Sequence, residues 1–407
     1  MHQTHEETNH NDSVSQMVMQ FGQFLNHDFM QTATQGMRCC DQTVSGPDSE
    51  QPEELRFCFN IDISNDVFYS RKRSCFPFTR SDATCTESGQ REQFNMMTAF
   101  IDGSAVYGSN SAKAEKLRTK TGGLLRTHYL GPTLPSNEQT GFADAFPSEQ
   151  LIAGDFRATM QPGLAGIHSL FVLEHNRIAN EFTEADPSLT DEEVYQTARS
   201  LVGAQIQNIA YTEFLPVVLG PEAMAFYNLS LPTEETTVYN SSVNPNVYNE
   251  VATFAFRFGH SLIPNFFKPA AQPLDTMNDI CPLKDNFFQV EEFVVGKDFS
   301  GQAWQNLLLG ISSSKSPPMD AKLSKHVTNF LFCGSNCDFT HGFGQDLAAR
   351  NIQRGRDHGL PGYVKYREFC GLTIPTNWAD KPAGISQKNW DNMRSVYTDV
   401  TDIDAFT

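Results

Sequence analysis

Apolar residues recur at helical spacing in four long segments of the chain. The first, residues 13–29, carries Val14, Met17, Phe21, Phe24 and Leu25 on one side. The second, 163–182, repeats the pattern with Leu164, Ile167, Leu170, Phe171 and Ile178. The third, 190–215, opens with Thr190 and Glu193 in the spacing of a capping box and keeps its period past Ile209. The fourth is 247–263. Strand-like alternation is rare and short. Glycine-, proline-, serine- and asparagine-rich stretches separate the helices at 41–56, 127–150, 217–246 and 267–288. There is no internal repeat, no low-complexity tract and no clean linker. The expectation is one mainly α-helical domain over residues 1–407, with long loops and little β-structure. Such a chain needs disulfides, a metal or a large cofactor to tie its loops together.

Composition narrows the function. The net charge of −18 argues against nucleic acid and anionic membrane surfaces as partners, since both require basic patches. No run of 18 or more apolar residues predicts a membrane span. Nine cysteines occur without a zinc-like CxxC pair. Five of them fall between Cys39 and Cys85, Cys333 and Cys337 form a C-x3-C, and Cys281 and Cys370 stand apart. Disulfides in an extracellular setting fit this better, as do N-x-[ST] sequons at Asn11, Asn228 and Asn240. Yet the polar start MHQTHEETNHND is unlike a leader, so the expectation is a piece of a longer secreted precursor.

The candidate chemistry lies inside the apolar segments. In QFGQFLNHDF, Gln23 and His27 are four residues apart and share a helix face, with Asp28 a quarter-turn away. Taken alone, His27 reads as an ordinary core histidine. TAFIDGS offers oxygens at every second residue: Thr98, the Phe100 carbonyl, Asp102 and Ser104. Alternate spacing is how a short loop wraps calcium, with Asp28 available as a further carboxylate. Arg157 sits in the largely apolar IAGDFRATMQPG, and an arginine is rarely buried without a partner or a task. His260 lies in FAFRFGHSLI, three residues after Arg257. Asn351, Arg354, Arg356, Asp357 and His358 crowd into ARNIQRGRDHGLPGY. Two distant histidines in apolar helices and a buried arginine suggest a large flat cofactor, and haem fits.

These stretches, MVMQFGQFLNHD, TAFIDGSAVYGS, AGDFR…QPGL…HSLFVLEHNRIA, FAFRFGHSLI and NIQRGRDHGLPGYVKYREFCGL, resemble the animal haem peroxidase family in order and spacing across residues 17 to 372. The resemblance implies an enzyme that reduces hydrogen peroxide and oxidises halides, thiocyanate, phenols or tyrosyl groups. It implies His27 as the distal histidine with Gln23 beside it, and Arg157 as the distal arginine. It implies His260 as the haem-iron ligand, Asn351 as acceptor of its ring N–H, and Arg257 near a propionate. It also implies a calcium site of Asp28, Thr98, Phe100 (main chain), Asp102 and Ser104. His168, His175 and His358 match no ligand role and read as structural. Early pairings such as Cys39–Cys58 and Cys40–Cys75 are compatible with this reading, but spacing does not select them.

The chain departs from the family at two haem-contacting positions. Many members esterify haem through carboxylates where this chain has Asn26 and Met160, and a neighbouring methionine is replaced by Gln161. The expectation is haem b held noncovalently, with weak chloride oxidation. Cys370 has no downstream cysteine before Thr407, which again predicts a domain incomplete at both ends. A cyclooxygenase-type activity is disfavoured, because Arg257 stands where that branch needs a tyrosine. A peroxidase-like adhesion or matrix protein is the non-enzymatic alternative; the intact Gln23, His27 and Arg157 and the lack of RGD weigh against it. The sequence does not specify an oligomeric state.

Overall fold

The computed structural model of the chain describes residues 3–4, 11–34, 39–40, 57–69, 74–85, 89–140, 150–232, 239–270, 280–296, 303–333 and 344–407. The expected 41–56 loop, parts of the other three long loops, and Cys337 lie outside them. Helices dominate the rest, as expected. Among the described residues the strands are two to five residues long and pair only in twos.

The centre of the fold is the helix Pro162–Ala185, with thirteen of its residues buried on more than one side. It packs against the helices Asp191–Ile209, Ala303–Ser313 and Met17–Phe29, so the core forms around one nearly enclosed rod. Its start is fixed locally. Gln161 caps it by accepting from the Gly163 amide at 2.7 Å, and Pro162 occupies the first turn, where no amide hydrogen is needed. The Asp191–Ile209 helix begins with the capping box read from Thr190 and Glu193, and both reciprocal bonds are present.

Three of the four predicted helices change at their ends. Residues 13–15 are extended, because the strand Asn11–Ser15 pairs with Lys315–Ser316, and the helix starts only at Met17. The 190–215 helix relaxes into a π-turn over Ala210–Phe214 just before Pro216, which cannot donate a main-chain hydrogen bond. It resumes as Leu215–Phe226 with a kink at Gly220, where φ is +77° and Pro221 follows. The 247–263 segment is not one α-helix. A short helix, Asn249–Thr253, stops at Phe254, and Ala255–Leu262 continues as 3₁₀. Tertiary contacts explain the break. The Phe254 ring packs on Tyr366, and Arg257 Nε donates to the Ala252 carbonyl, an acceptor that a continuous helix would use for its backbone.

Disulfides Cys39–Cys58 and Cys40–Cys75, two pairings that spacing left open, join the early loops, and Cys333 is also disulfide-bonded. Cys85, Cys281 and Cys370 are free thiols. No described helix is long and apolar enough to cross a membrane.

The Met17–Phe29 helix meets the central helix through aromatic rings. Phe24 is fully buried, stacks on Phe171 at 4.9 Å and meets His168 edge-on at 5.0 Å. Truncating Phe24 to alanine should lower unfolding stability by about 3–5 kcal/mol, read from denaturant midpoints at constant slope. A loss below about 1 kcal/mol would show that this contact is not what seats the helix.

Candidate active site

The histidine and aspartate that adjoin in the Met17–Phe29 helix face different neighbours. Asp28 is fully buried, and its carboxylate accepts from the amides of Asp102 at 3.0 Å, Gly103 at 3.1 Å and Ala105 at 2.9 Å. Ser104 Oγ donates to the Asp28 carbonyl at 2.7 Å. The same segment then holds the turn that carries Arg157. The Ala105 carbonyl accepts from the Asp155 amide at 2.8 Å, and the Val106 carbonyl from the Gly154 amide at 3.0 Å. Gly154 is required for this approach, since a Cβ there would lie 2.3 Å from the Gly108 nitrogen. Arg157 closes the ring by donating from Nη2 to the His27 carbonyl at 3.3 Å.

Asp155, which sequence reasoning passed over, fixes the guanidinium. It accepts from Arg157 Nε at 2.9 Å and Nη2 at 2.6 Å, and also caps the 3₁₀ turn Phe156–Thr159. Burial alone would raise its pKa, but the charge and hydrogen bonds of Arg157 outweigh this and hold it well below the usual carboxylate range. The visible signal was an aspartate two residues before the arginine, at a helix-start position.

His27 is buried, and its pKa is pushed well below the ordinary value, first by desolvation and then by the positive charge of Arg157. It is therefore a neutral base at pH 7. Its Nδ1 is buried without a hydrogen-bond partner. Gln23 is held by Gln161, whose Nε2 donates to Gln23 Oε1 at 2.9 Å and to Gln20 Oε1 at 2.7 Å. Met160 receives a long contact from Gln23 Nε2 at 3.7 Å, and Asn26 is half-buried on the same helix.

The second histidine belongs to an element packed against the first. The Ala255–Leu262 turn lies on the Met17–Phe29 helix, and Phe256 meets Phe29 edge-on at 5.7 Å. His260 and Arg257 are deep among protein atoms yet keep accessible surface, which marks residues that line an internal space. His260 is held neutral, with its pKa pushed down to about 3 by desolvation and then by Arg257. Asn351 pairs with it, Nδ2 to Nδ1 at 2.9 Å. The polarity differs from the expected one: the amide oxygen is turned to Arg257, so the amide donates to the ring. An arginine can only donate, and this one takes the nearest neutral oxygen.

Arg257 is in deficit. Burial, then the charges of Arg354, Arg350 and Arg157, push its pKa down to about 10. Among the described residues no carboxylate pairs with it. A buried guanidinium within the field of three others calls for an anion, and none of the described residues supplies one. The orphaned His27 nitrogen, the neutral His260 and this cation cluster together fit haem: an imidazole for the iron, an arginine for a propionate and a base on the open side.

The predicted calcium oxygens also come together. Ser104 Oγ lies 3.4 Å from Thr98 Oγ1 and 3.4 Å from Asp28 Oδ1, and Thr98 Oγ1 lies 3.4 Å from the Phe100 carbonyl. Asp102 accepts from the Ser104 amide at 2.9 Å. Burial, with the charge of Asp102 adding to it, raises the Asp28 pKa to about 6 against the opposing amide bonds, a setting that a bound cation would relieve. Only two carboxylates contribute, and no cluster of three or more His, Cys, Asp or Glu is present among the described residues. The remaining donors are neutral hard oxygens, a set that suits calcium better than a transition metal.

With the geometry in place, comparison with known proteins gives a consistent result. The animal haem peroxidase family model matches residues 1–407. The chain is 35% identical over 412 residues to peroxidasin homolog pxn-2 of Caenorhabditis elegans, covering 92% of this chain and 29% of that protein. It is 36% identical over 390 residues to human eosinophil peroxidase, covering 89% and 51%. The chain thus spans about half the length of the leukocyte relative and less than a third of the peroxidasin. Among solved structures, peroxidase A from Dictyostelium discoideum superposes with a TM-score of 0.78 at 27% identity, over 100% of this chain and 75% of that one. A fatty acid alpha-dioxygenase from Oryza sativa shares the fold, with a TM-score of 0.72 at 20% identity over 100% and 66%.

Three other histidines are buried in ordinary hydrogen bonds. His168 Nδ1 pairs with the Leu164 carbonyl at 2.8 Å, and His175 bridges the Tyr107 hydroxyl and the Gly123 carbonyl at 2.9 Å each. His358 joins Ser81 Oγ at 2.7 Å to Thr253 Oγ1 at 3.0 Å, just before the His260 turn. Burial, then Arg354, pushes the His358 pKa down to about 3, with Asp357 opposing and Arg257 and Arg91 adding to it. The unfolded chain titrates near 6.5. This contribution to stability is complete above about pH 6.5 and lost as pH falls toward 3. His358→Gln should therefore flatten the fall in urea midpoint between about pH 6.5 and 4.5; an unchanged pH slope would remove His358 from the account.

Proposed function

Because the chain belongs to the animal haem peroxidase family, we propose that it reduces hydrogen peroxide with a haem held by His260 and uses the oxidising power on small electron donors. The observation that carries this reading is a buried neutral imidazole, His27, set against an arginine that is locked by its own carboxylate. The haem would supply the redox-active iron at which peroxide binds.

The protein residues then divide the work. His27 accepts a proton from the peroxide and returns it to the departing oxygen, a transfer that only a neutral imidazole can begin. Arg157 stabilises the charge that develops on that oxygen. Asp155 stays ionised, keeps the guanidinium in one orientation and costs no reorganisation. Gln23, fixed by Gln161, adds a polar group on the same helix face. His260 would hold the haem iron and Arg257 a propionate; with Arg257 so engaged, the Asn351 amide could turn its oxygen to the His260 ring N–H and strengthen the imidazole as a ligand. Calcium bound by Asp28, Thr98, the Phe100 carbonyl, Asp102 and Ser104 would supply the counter-charge that Asp28 lacks and brace the His27 helix.

Asn26 and Met160 cannot form ester bonds, which supports a noncovalent haem b. Without covalent distortion of the ring, iodide, bromide, thiocyanate and phenolic or tyrosyl groups are better matched donors than chloride. The disulfides and the exposed sequons at Asn228 and Asn240 support an extracellular location.

Three measurements test this. Haem-loaded protein should show a Soret band that His260→Ala abolishes. His27→Ala should keep the band and slow reaction with peroxide by about 10²–10⁴-fold; a fast His27→Ala protein would sink the assignment. Acid acetone should extract the haem completely, and haem retained on the polypeptide would refute noncovalent binding.

A further inference from the structure

His260 is held at two points, and the sequence pointed to only one of them. Asn351 pairs with Nδ1. The second contact is Phe406, whose ring centre lies 6.2 Å from that of the imidazole at an interplanar angle of 55°. Phe406 is half-buried and packs against the main core.

The strap that brings it there, residues 399–407, is tied down at several places. It starts with a capping box between Asp399 and Asp402. Val400 and Ile403 are buried with Trp390 in a small core of their own. The Ile403 carbonyl accepts from the Tyr363 amide at 2.8 Å. Gly362 permits this approach, since a Cβ there would lie 2.9 Å from the Thr401 oxygen and 3.0 Å from that of Ile403. Asp404, two residues before Phe406, accepts from Arg356 Nε at 2.9 Å and Nη2 at 2.7 Å, and from the Tyr397 hydroxyl at 2.8 Å. Asn351 and Arg356 belong to one helix, Leu347–Asp357. That helix therefore supplies the hydrogen bond to the imidazole and, through Asp404, anchors the strap that carries the second ring.

The side-chain torsion of histidine next to its ring has broad wells, so neighbours decide how the ring is turned. A hydrogen bond at one nitrogen leaves the ring free to swing about the line of that bond. An aromatic ring packed at a tilt against it removes this freedom. We propose that Phe406 is a positioning residue for His260: its ring fixes the plane of the imidazole, and so the direction of Nε2, and Asp404 sets where that ring lies. The proposal rests on the reading of His260 as the haem ligand.

The test has one arm without haem. In the full chain labelled with 13C-histidine, Phe406→Ala should shift the His260 ring resonances, identified by their loss in His260→Gln. Haem titration should then give an affinity about tenfold weaker for Phe406→Ala, whereas Phe406→Trp, which restores a ring, should bind as the unaltered chain does. In the reduced, haem-loaded protein the iron–histidine stretching band should move and broaden in Phe406→Ala and return in Phe406→Trp. Asp404→Asn, which keeps the ring but weakens its anchor, should move the band in the same direction by less; it carries the test if Phe406→Ala does not fold. A merely structural role would lower the denaturant midpoint and leave the band in place, and that result overturns the proposal. Haem binding that survives His260→Ala sinks the ligand reading and this proposal with it. Binding that is lost in His260→Ala but unaltered in Phe406→Ala sinks this proposal alone.

Discussion

One buried carboxylate organises the reactive region. Asp28 binds the main-chain amides of Asp102, Gly103 and Ala105, and the carbonyls of Ala105 and Val106 in turn bind the turn that leads to Arg157. Arg157 returns to the His27 carbonyl, one residue before Asp28. The loop of bonds therefore begins and ends on the same helix. It sets the height and direction of His27 and Arg157 together, so neither can move without opening the other's contacts. An ionised carboxylate at this depth is expensive unless a cation joins it, and its raised pKa reports that cost. The neutral oxygens of Thr98, Phe100 and Ser104 lie near it, in the calcium set proposed above.

Opposite charges are handled differently on the two sides of the site. Near His27, Arg157 has its own carboxylate, so the pair is satisfied and rigid within the protein. Near His260, Arg257 has only neutral acceptors among the described residues and lies within the field of Arg354, Arg350 and Arg157. That asymmetry suits the cofactor proposed above, whose acidic side arms would complete Arg257, whereas Arg157 is already held in one orientation by Asp155.

The helical core carries this region without contributing chemistry. The rings of Phe24, Phe171 and His168 seat the Met17–Phe29 helix on the central helix. The Ser81–His358–Thr253 bridge ties the short helix before His260 to the arginine-rich Leu347–Asp357 helix. Both are bonds between segments far apart in sequence. They explain why histidines that match no ligand role are nevertheless buried and specific in their partners.

The sequence by itself determined the helices with strong period and the capping box at Thr190, and it singled out His27, Arg157 and His260 as candidates, because local pattern and motif order carry that information in a single stretch. Tertiary structure decided what those residues touch. It broke the 247–263 helix at Phe254, since Tyr366 and Arg257 outcompeted the backbone for their contacts. It also selected Asp155 and Gln161 as the supports of Arg157 and Gln23. Nothing in a linear pattern distinguishes a helix cap that merely starts a turn from one that also clamps an arginine. That difference lies in which surfaces meet, and only packing of distant segments sets it.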